Sequence, residues 1–174
     1  FQSLSFLYWQ GRCDVTGSLY GGKVPGLSIG FTLYNGDLQD ILKAIVGRES
    51  ITGKVGVSGT LQTSGVNMLS WLSQADAKLT IAGRGVNVEN FNIQGVVDTV
   101  GVSRTTADVV NNVSLTIQKG SSLFNVDGYV NVKNGTVKTP GITLKSGNIT
   151  GNLTGDVRLV PWNMDLSALF QCLP

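Results

Sequence analysis

The sequence predicts an α+β chain built on a strongly curved, mostly antiparallel β-sheet. Two or more short amphipathic helices are expected on its concave face. Three observations carry this. Apolar and polar residues alternate at period 2 over most of the chain. Glycine, 23 of 174 residues, often falls in phase with the apolar positions and not only in turns. Two segments switch to a helical period.

The alternation is clearest in four places. Leu27, Ile29, Phe31 and Leu33 interleave with Ser28, Gly30, Thr32 and Tyr34. Ile51, Val55, Val57 and Leu61 interleave with Thr52, Lys54, Ser58 and Gln62. Val126, Val130 and Val132 oppose Asp127, Asn131 and Lys133, and Ile149, Leu153 and Val157 oppose Thr150, Thr154 and Arg158. Each segment reads as a strand with one apolar and one wet face, the usual antiparallel pattern. Gly21-Gly22, Asn134-Gly135 and Ser146-Gly147 mark turns, and Asn-Gly between valine runs is a strong hairpin signal. Gly53, Gly59, Gly128, Gly151 and Gly155 share the apolar face. Glycine weakens a strand unless the sheet bends there or something approaches the backbone closely, hence the expected curvature.

The helical segments come next. Over Asp37–Val46, Leu38, Ile41, Leu42 and Ile45 recur at helical spacing, and Gly47 follows as a stop. Over Ser64–Ser73, Val66, Leu69 and Leu72 form a stripe beside Trp71, with Ser64 or Gly65 as cap. Asn90–Val100 and Thr105–Val113 carry mixed signals read as short helices, and Asp165–Phe170 reads as a final helical turn.

Composition narrows the function. Charged residues make up 14%, against about 25% in an ordinary soluble domain. Apolar residues reach 41%, which excludes a highly charged disordered chain. Net charge is only +2 with dispersed lysines, which argues against nucleic acid as a partner. There is no histidine, so no mechanism can use one as base or metal ligand. Asp37 and Asp40 flank a helix start, where carboxylates favourably meet the helix dipole, and capping explains them better than a catalytic dyad. Gly83-Arg84-Gly85 is half of a dinucleotide fingerprint and reads as a β-turn. Tyr8, Trp9, Tyr20, Trp71 and Trp162 are the aromatic candidates for a contact surface, each better read as a half-buried sheet or core residue. No catalytic residue, metal site or cofactor emerges, and a non-enzyme is expected.

Cys13 and Cys172 lack CxxC spacing. Two readings stay open for them. They are either unrelated buried thiols or one disulfide tying the C-terminal tail to the first strands. Such a bond would close a loop of more than 150 residues, stabilising by about 4–5 kcal/mol on a chain-entropy argument. Phe1 opens the chain in place of Met, so residues 1–174 are read as a single β-rich domain within a longer protein. No run of about 20 apolar residues exists to span a bilayer.

Several motifs occur in a telling order. Leu19-Tyr20-Gly21-Gly22 forms a strand turn, and Asp37–Gly47 a helix. Ile51-Thr-Gly-Lys-Val-Gly-Val-Ser-Gly59 follows, then Met68-Leu-Ser-Trp-Leu-Ser leading into Ala77-Lys-Leu-Thr-Ile. Phe124–Val137 carries the Asn134-Gly135 hairpin before the closing strand Gly147–Leu159. In this order, over Val15–Leu166, the chain resembles the C-terminal region of the AsmA-like family of Gram-negative envelope proteins. It departs from that pattern at Lys119-Gly120-Ser-Ser-Leu-Phe124, where the family has a second glycine and a threonine. The resemblance implies a protein tethered to the inner membrane by a segment outside this chain, with its body in the periplasm. It also implies a role in outer-membrane assembly and in moving phospholipid between membranes along an apolar groove, among other envelope proteins.

The expected groove residues are Ile29, Phe31, Val55, Val57, Val130, Val132, Leu153 and Val157. Two occupants fit such a concavity. Acyl chains would gain about 0.8 kcal/mol per buried CH₂. The chain's own helices would instead make it an ordinary filled core. The alternative function is a structural or adhesive β-rich module at the cell surface, with a filled core and no lipid.

Overall fold

The computed structural model describes residues 3–47 and 49–172, without the side chains of residues 45, 46, 159 and 162. The aromatic group of Trp162 therefore lies outside the described residues. Among the described residues, nine strands form one antiparallel sheet in sequence order: β1 (Leu4–Tyr8), β2 (Gly11–Tyr20), β3 (Gly26–Asp37), β4 (Ile51–Ser64), β5 (Asp76–Glu89), β6 (Ser121–Lys133), β7 (Thr136–Ser146), β8 (Ile149–Leu159) and β9 (Trp162–Cys172). Helix α1 (Leu38–Val46) joins β3 to β4, and α2 (Met68–Ser73) joins β4 to β5. Helices α3 (Ile93–Val102) and α4 (Thr106–Thr116) join β5 to β6. The fold class is thus α+β and mostly sheet.

The expected strong curvature is corrected. The sheet is open and not strongly curled. Its in-phase glycines serve close packing more than bending. Gly151 pairs with Phe170, and a Cβ at 151 would collide with that ring. A missing side chain here makes room for an aromatic on the neighbouring strand.

The turns follow local chemistry. Asn134 and Gly135 take φ of 49° and 69°, the left-handed pair a two-residue hairpin of matching twist needs. Gly83-Arg84-Gly85 is not a turn but an irregularity within β5, with Gly85 at φ 61°. Asp165–Phe170 is corrected from helix to strand. Met164, Leu166, Ala168 and Phe170 alternate with Asp165, Ser167, Leu169 and Gln171 along β9, beside β8. Helix α2 is shorter than expected and is capped by Asn67, not Ser64 or Gly65. Asn67 and Ser70 form a reciprocal capping box.

Helix α1 has the expected ends. The Asp37 carboxylate accepts the backbone N–H groups of Gln39 and Asp40 at 3.0 and 3.2 Å. Lys54 Nζ donates to it at 3.1 Å, and Gly47 closes the helix at φ 67°. Lys54, and then those N–H groups, hold the Asp37 carboxyl below its ordinary pKa. A carboxyl depressed in the folded state stabilises above its unfolded pKa, and that stability is lost as pH falls through the folded value. Stability is therefore expected to drop as pH falls below about 4, with a smaller drop for Asp37→Asn. At neutral pH, Asp37→Ala should cost about 1 kcal/mol in chemical denaturation.

Strands reverse at two ends. One holds α1, α3–α4 and the β7–β8 turn; the other holds the β2–β3 turn, α2 and the β6–β7 turn. The main core cluster sits at the α1 end, while Ala75, Ala77, Val130 and Ile142 are buried away from it. Phe124 is 2% exposed, Ile149 1% and Ile93 5%. Phe91, Phe124 and Phe170 form a ring triangle with centroids 5.9–6.3 Å apart. The buried Ser122 hydroxyl accepts the Ile93 N–H at 2.8 Å, fastening the start of α3 to β6.

Candidate functional site

Register brings the sequence-predicted groove residues together. Ile29 pairs with Leu61, Phe31 with Gly59, and Leu33 with Val57 across β3 and β4. Val57 pairs with Ile81, Leu79 with Val130, and Ala77 with Val132 across β4, β5 and β6. Val132 pairs with Val137, Val137 with Val157, and Ile142 with Leu153 across β6, β7 and β8. Directly paired residues share a face, so Ile29, Phe31, Val55, Val57, Val130, Val132, Leu153 and Val157 all lie on one side. That side continues into Val15 and Phe6 at one edge, and into Leu166 and Phe170 at the other. The opposite side carries Asp14, Thr32, Ser58, Thr80, Asp127, Asn152 and their like.

The helices occupy the two ends of the apolar side. At the α1 end, α1 packs on β4 and β3, and Ile93 of α3 meets Phe124 and Ile149. At the other end, Thr63 donates its hydroxyl to the Trp71 carbonyl, which ties α2 to the same side. The central band is left without a second layer. Ile29, Phe31, Val57, Val132, Leu153 and Val157 are half-buried there, whereas Val55 and Val130 are already buried. Leu4, Met164 and Leu166, nearer the edges, are exposed. The chain leaves 10982 Å² accessible. A compact monomer of its 18.4 kDa would leave about 8,200 Å². A sheet with one layer over most of its apolar side accounts for that excess.

A hollow of about 670 Å³ opens on the polar side between Thr60, Gln62, Asp76, Lys78 and Asn131. The sheet is open, so its apolar side is a broad surface. Two of the sequence-predicted groove residues, Val55 and Val130, are out of a ligand's reach unless neighbouring side chains move. The sequence reading also missed Leu79, Ile81 and Ile142, which complete the same face; period-2 counting extended through β5 and β7 would have found them.

The cysteines are separated. Cys13 lies in β2 and Cys172 in β9, seven strand spacings apart, or about 34 Å at roughly 4.8 Å each. A disulfide needs Cα atoms within about 7 Å, so the two are not joined. Cys172 is exposed and accepts from Asn148 Nδ2 at 3.4 Å, while burial, then the Asp14 charge, pushes the Cys13 thiol upward. Adding a reductant is expected to leave the melting temperature unchanged; a clear fall would put the cysteines in contact after all.

Among the described residues, no three potential metal ligands cluster, and no helix is long and apolar enough to cross a membrane. What the fold and site define is a class: an open antiparallel meander with one continuous apolar side. Comparison with protein-family models, curated proteins and solved structures returned no match.

Proposed function

We propose that this chain is a non-enzymatic lipid-handling segment of a Gram-negative envelope protein, resembling the AsmA-like family. It would stand in the periplasm, tethered to the inner membrane by a segment outside this chain. Its partners would be phospholipid and other envelope proteins, in outer-membrane assembly or phospholipid transport. The observation that carries the reading is the central band, apolar across successive strands and covered by no second layer. Monomeric proteins rarely leave a large contiguous apolar patch open without a partner for it. Acyl chains suit it because they are apolar, flexible and wide enough, side by side, to cover a broad surface. The lack of strong curvature shapes the proposal: lipid would lie along an open face and not inside a closed groove.

The test is mass spectrometry of lipids retained by the purified protein, with photo-crosslinking residues at Ile29, Phe31 and Leu153. Phospholipid adducts at these positions, and none at Thr32 or Asn152 on the polar side, are expected. An absence of adducts in both the chain and its full-length parent would sink the reading.

A second reading has its own observation. Edge strand β1 carries no charge, and edge strand β9 carries only Asp165. Neither has the lysine or proline that usually blunts a free edge, so both could accept a partner strand. As an adhesive module, the protein would capture a β-strand partner equally well after delipidation, and proline substitutions at Ser167 and Leu169 would abolish that capture.

A further inference from the structure

The β2–β3 turn and the segment leading into α2 meet at the α2 end of the sheet. Gly65 donates its N–H to the Pro25 carbonyl at 2.9 Å, and Gly26 pairs with both Tyr20 and Ser64. This junction gathers large, exposed apolar side chains. Val66 is 70% exposed and Met68 78%, and Leu19, Val24 and Leu69 are exposed beside them. Trp71 does not add to this tip; its indole N–H is turned inward to the Gly65 carbonyl at 2.6 Å. Tyr20, also exposed, stands at the rim, where an amphipathic ring suits a lipid–water boundary.

Charge around this tip is sparse, with Lys23, Lys78 and Lys133 set against the carboxylate of Asp76. From Val15 to Asn35 the only charged residue is Lys23, and from Val55 to Ala75 there is none. Lys133 lies at the same end, next to the β6–β7 turn. The nearby carboxylate, Asp76, is engaged by the Asn134 N–H at 2.9 Å. At the opposite end the exposed Val100, Val102 and Val110 of α3–α4 stand among Asp98, Arg104 and Asp108.

We infer that the α2 end is a membrane-docking tip, which inserts Val24, Val66, Met68 and Leu69 into the headgroup region of an anionic bilayer. Lys23 is the basic group that meets the lipid phosphates. Residues of this kind reach about 5–10 Å into the interface, and anionic lipid strengthens their hold. A protein partner with an apolar pocket would be expected to answer the tip with carboxylates or with strand pairing. Between β2, β3 and β4 the strand edges are paired within the sheet, and what stands out at the tip is the apolar side chains of Val24, Val66, Met68 and Leu69. The inference deepens the lipid-handling reading and rests on it for its purpose: the membrane touched by the tip is the source or destination of lipid on the apolar face.

The experiment is vesicle flotation of the whole chain with phosphatidylethanolamine vesicles, with and without phosphatidylglycerol. Binding is expected to the anionic vesicles and to weaken with salt. Met68→Glu with Leu69→Glu should bind at least tenfold more weakly, and Lys23→Glu about tenfold. Val110→Glu at the opposite end should bind as the unmodified chain does. Circular dichroism confirms that each variant is folded; Lys23→Glu, at a turn, tests the idea should the double variant misfold. Equal flotation of the tip variants, or no flotation of the unmodified chain, would overturn the inference. A soluble short-chain phospholipid with a fluorescent tag separates the two ideas. Tip variants should still take it up. If the unmodified chain floats through its tip yet takes up no tagged lipid, docking stands and the lipid-handling reading fails.

Discussion

Phe124→Ala is expected to cost about 3–5 kcal/mol, a large part of the roughly 5–15 kcal/mol that holds a typical domain folded. The ring is almost wholly enclosed and touches elements far apart in sequence. It lies in β6, faces Phe91 before α3 and Phe170 in β9, and shares its cluster with Ile93 and Ile149. Removing it leaves a cavity where α3 and the sheet make a second layer. Neighbouring strands cannot close that cavity, because the hydrogen-bonded ladder fixes their spacing. Denaturant unfolding should show the loss in the midpoint, and hydrogen exchange should show α3 and α4 opening first. The helix pair is held to the sheet mainly through Ile93 and the Ser122 hydroxyl, and α4 itself buries no residue. A loss below about 1 kcal/mol would mean that the core lies elsewhere.

The parts of this fold legible in the sequence are those governed by local spacing. β3, β4, β6 and β8 follow from period 2, α1 from its stripe and its Asp37 and Gly47 caps, and the β6–β7 hairpin from Asn134-Gly135. β9 was equally periodic but hidden, because Pro161 and the run through Leu166 and Phe170 read as a stop followed by a helical turn. Pairing with β8 supplies hydrogen bonds that no local spacing records, and tertiary context overrode the weak helical signal. The phenylalanine triangle could not be read, since its members stand about 30 to 80 positions apart in the sequence and meet only through register. The glycines misled for a related reason. Gly151 looks the same in sequence whether the sheet bends or Phe170 lies across it, and only the neighbouring strand distinguishes the two. Of the expected site, one-sidedness was legible, because alternation assigns a face. Burial was not, because Val55 and Val57 differ only in what packs above them.

Placing charge on the central band is the substitution that most sharply separates an open lipid surface from an ordinary core. Phe31→Glu with Leu153→Glu adds carboxylates at two half-buried positions on β3 and β8. In a water-accessible band each carboxylate can stay ionised and hydrated, so the stability cost should be about 1–2 kcal/mol per site, from lost apolar contact. Inside a sealed core the same groups would be desolvated without partners and cost several kcal/mol each, or unfold the chain. The effect on lipid runs the other way. An acyl chain covering Phe31 or Leu153 would have to strip water from a carboxylate, so retained phospholipid should fall at least tenfold, a change of about 1.4 kcal/mol or more. The apolar controls, Phe31→Leu and Leu153→Met, keep the surface apolar and should keep the lipid. Folded protein with tenfold less lipid is the expected result. Folded protein with unchanged lipid would show that lipid binds elsewhere. Unfolding of each single charge variant would show that the band is a core, and that the face works as structure and not as a site.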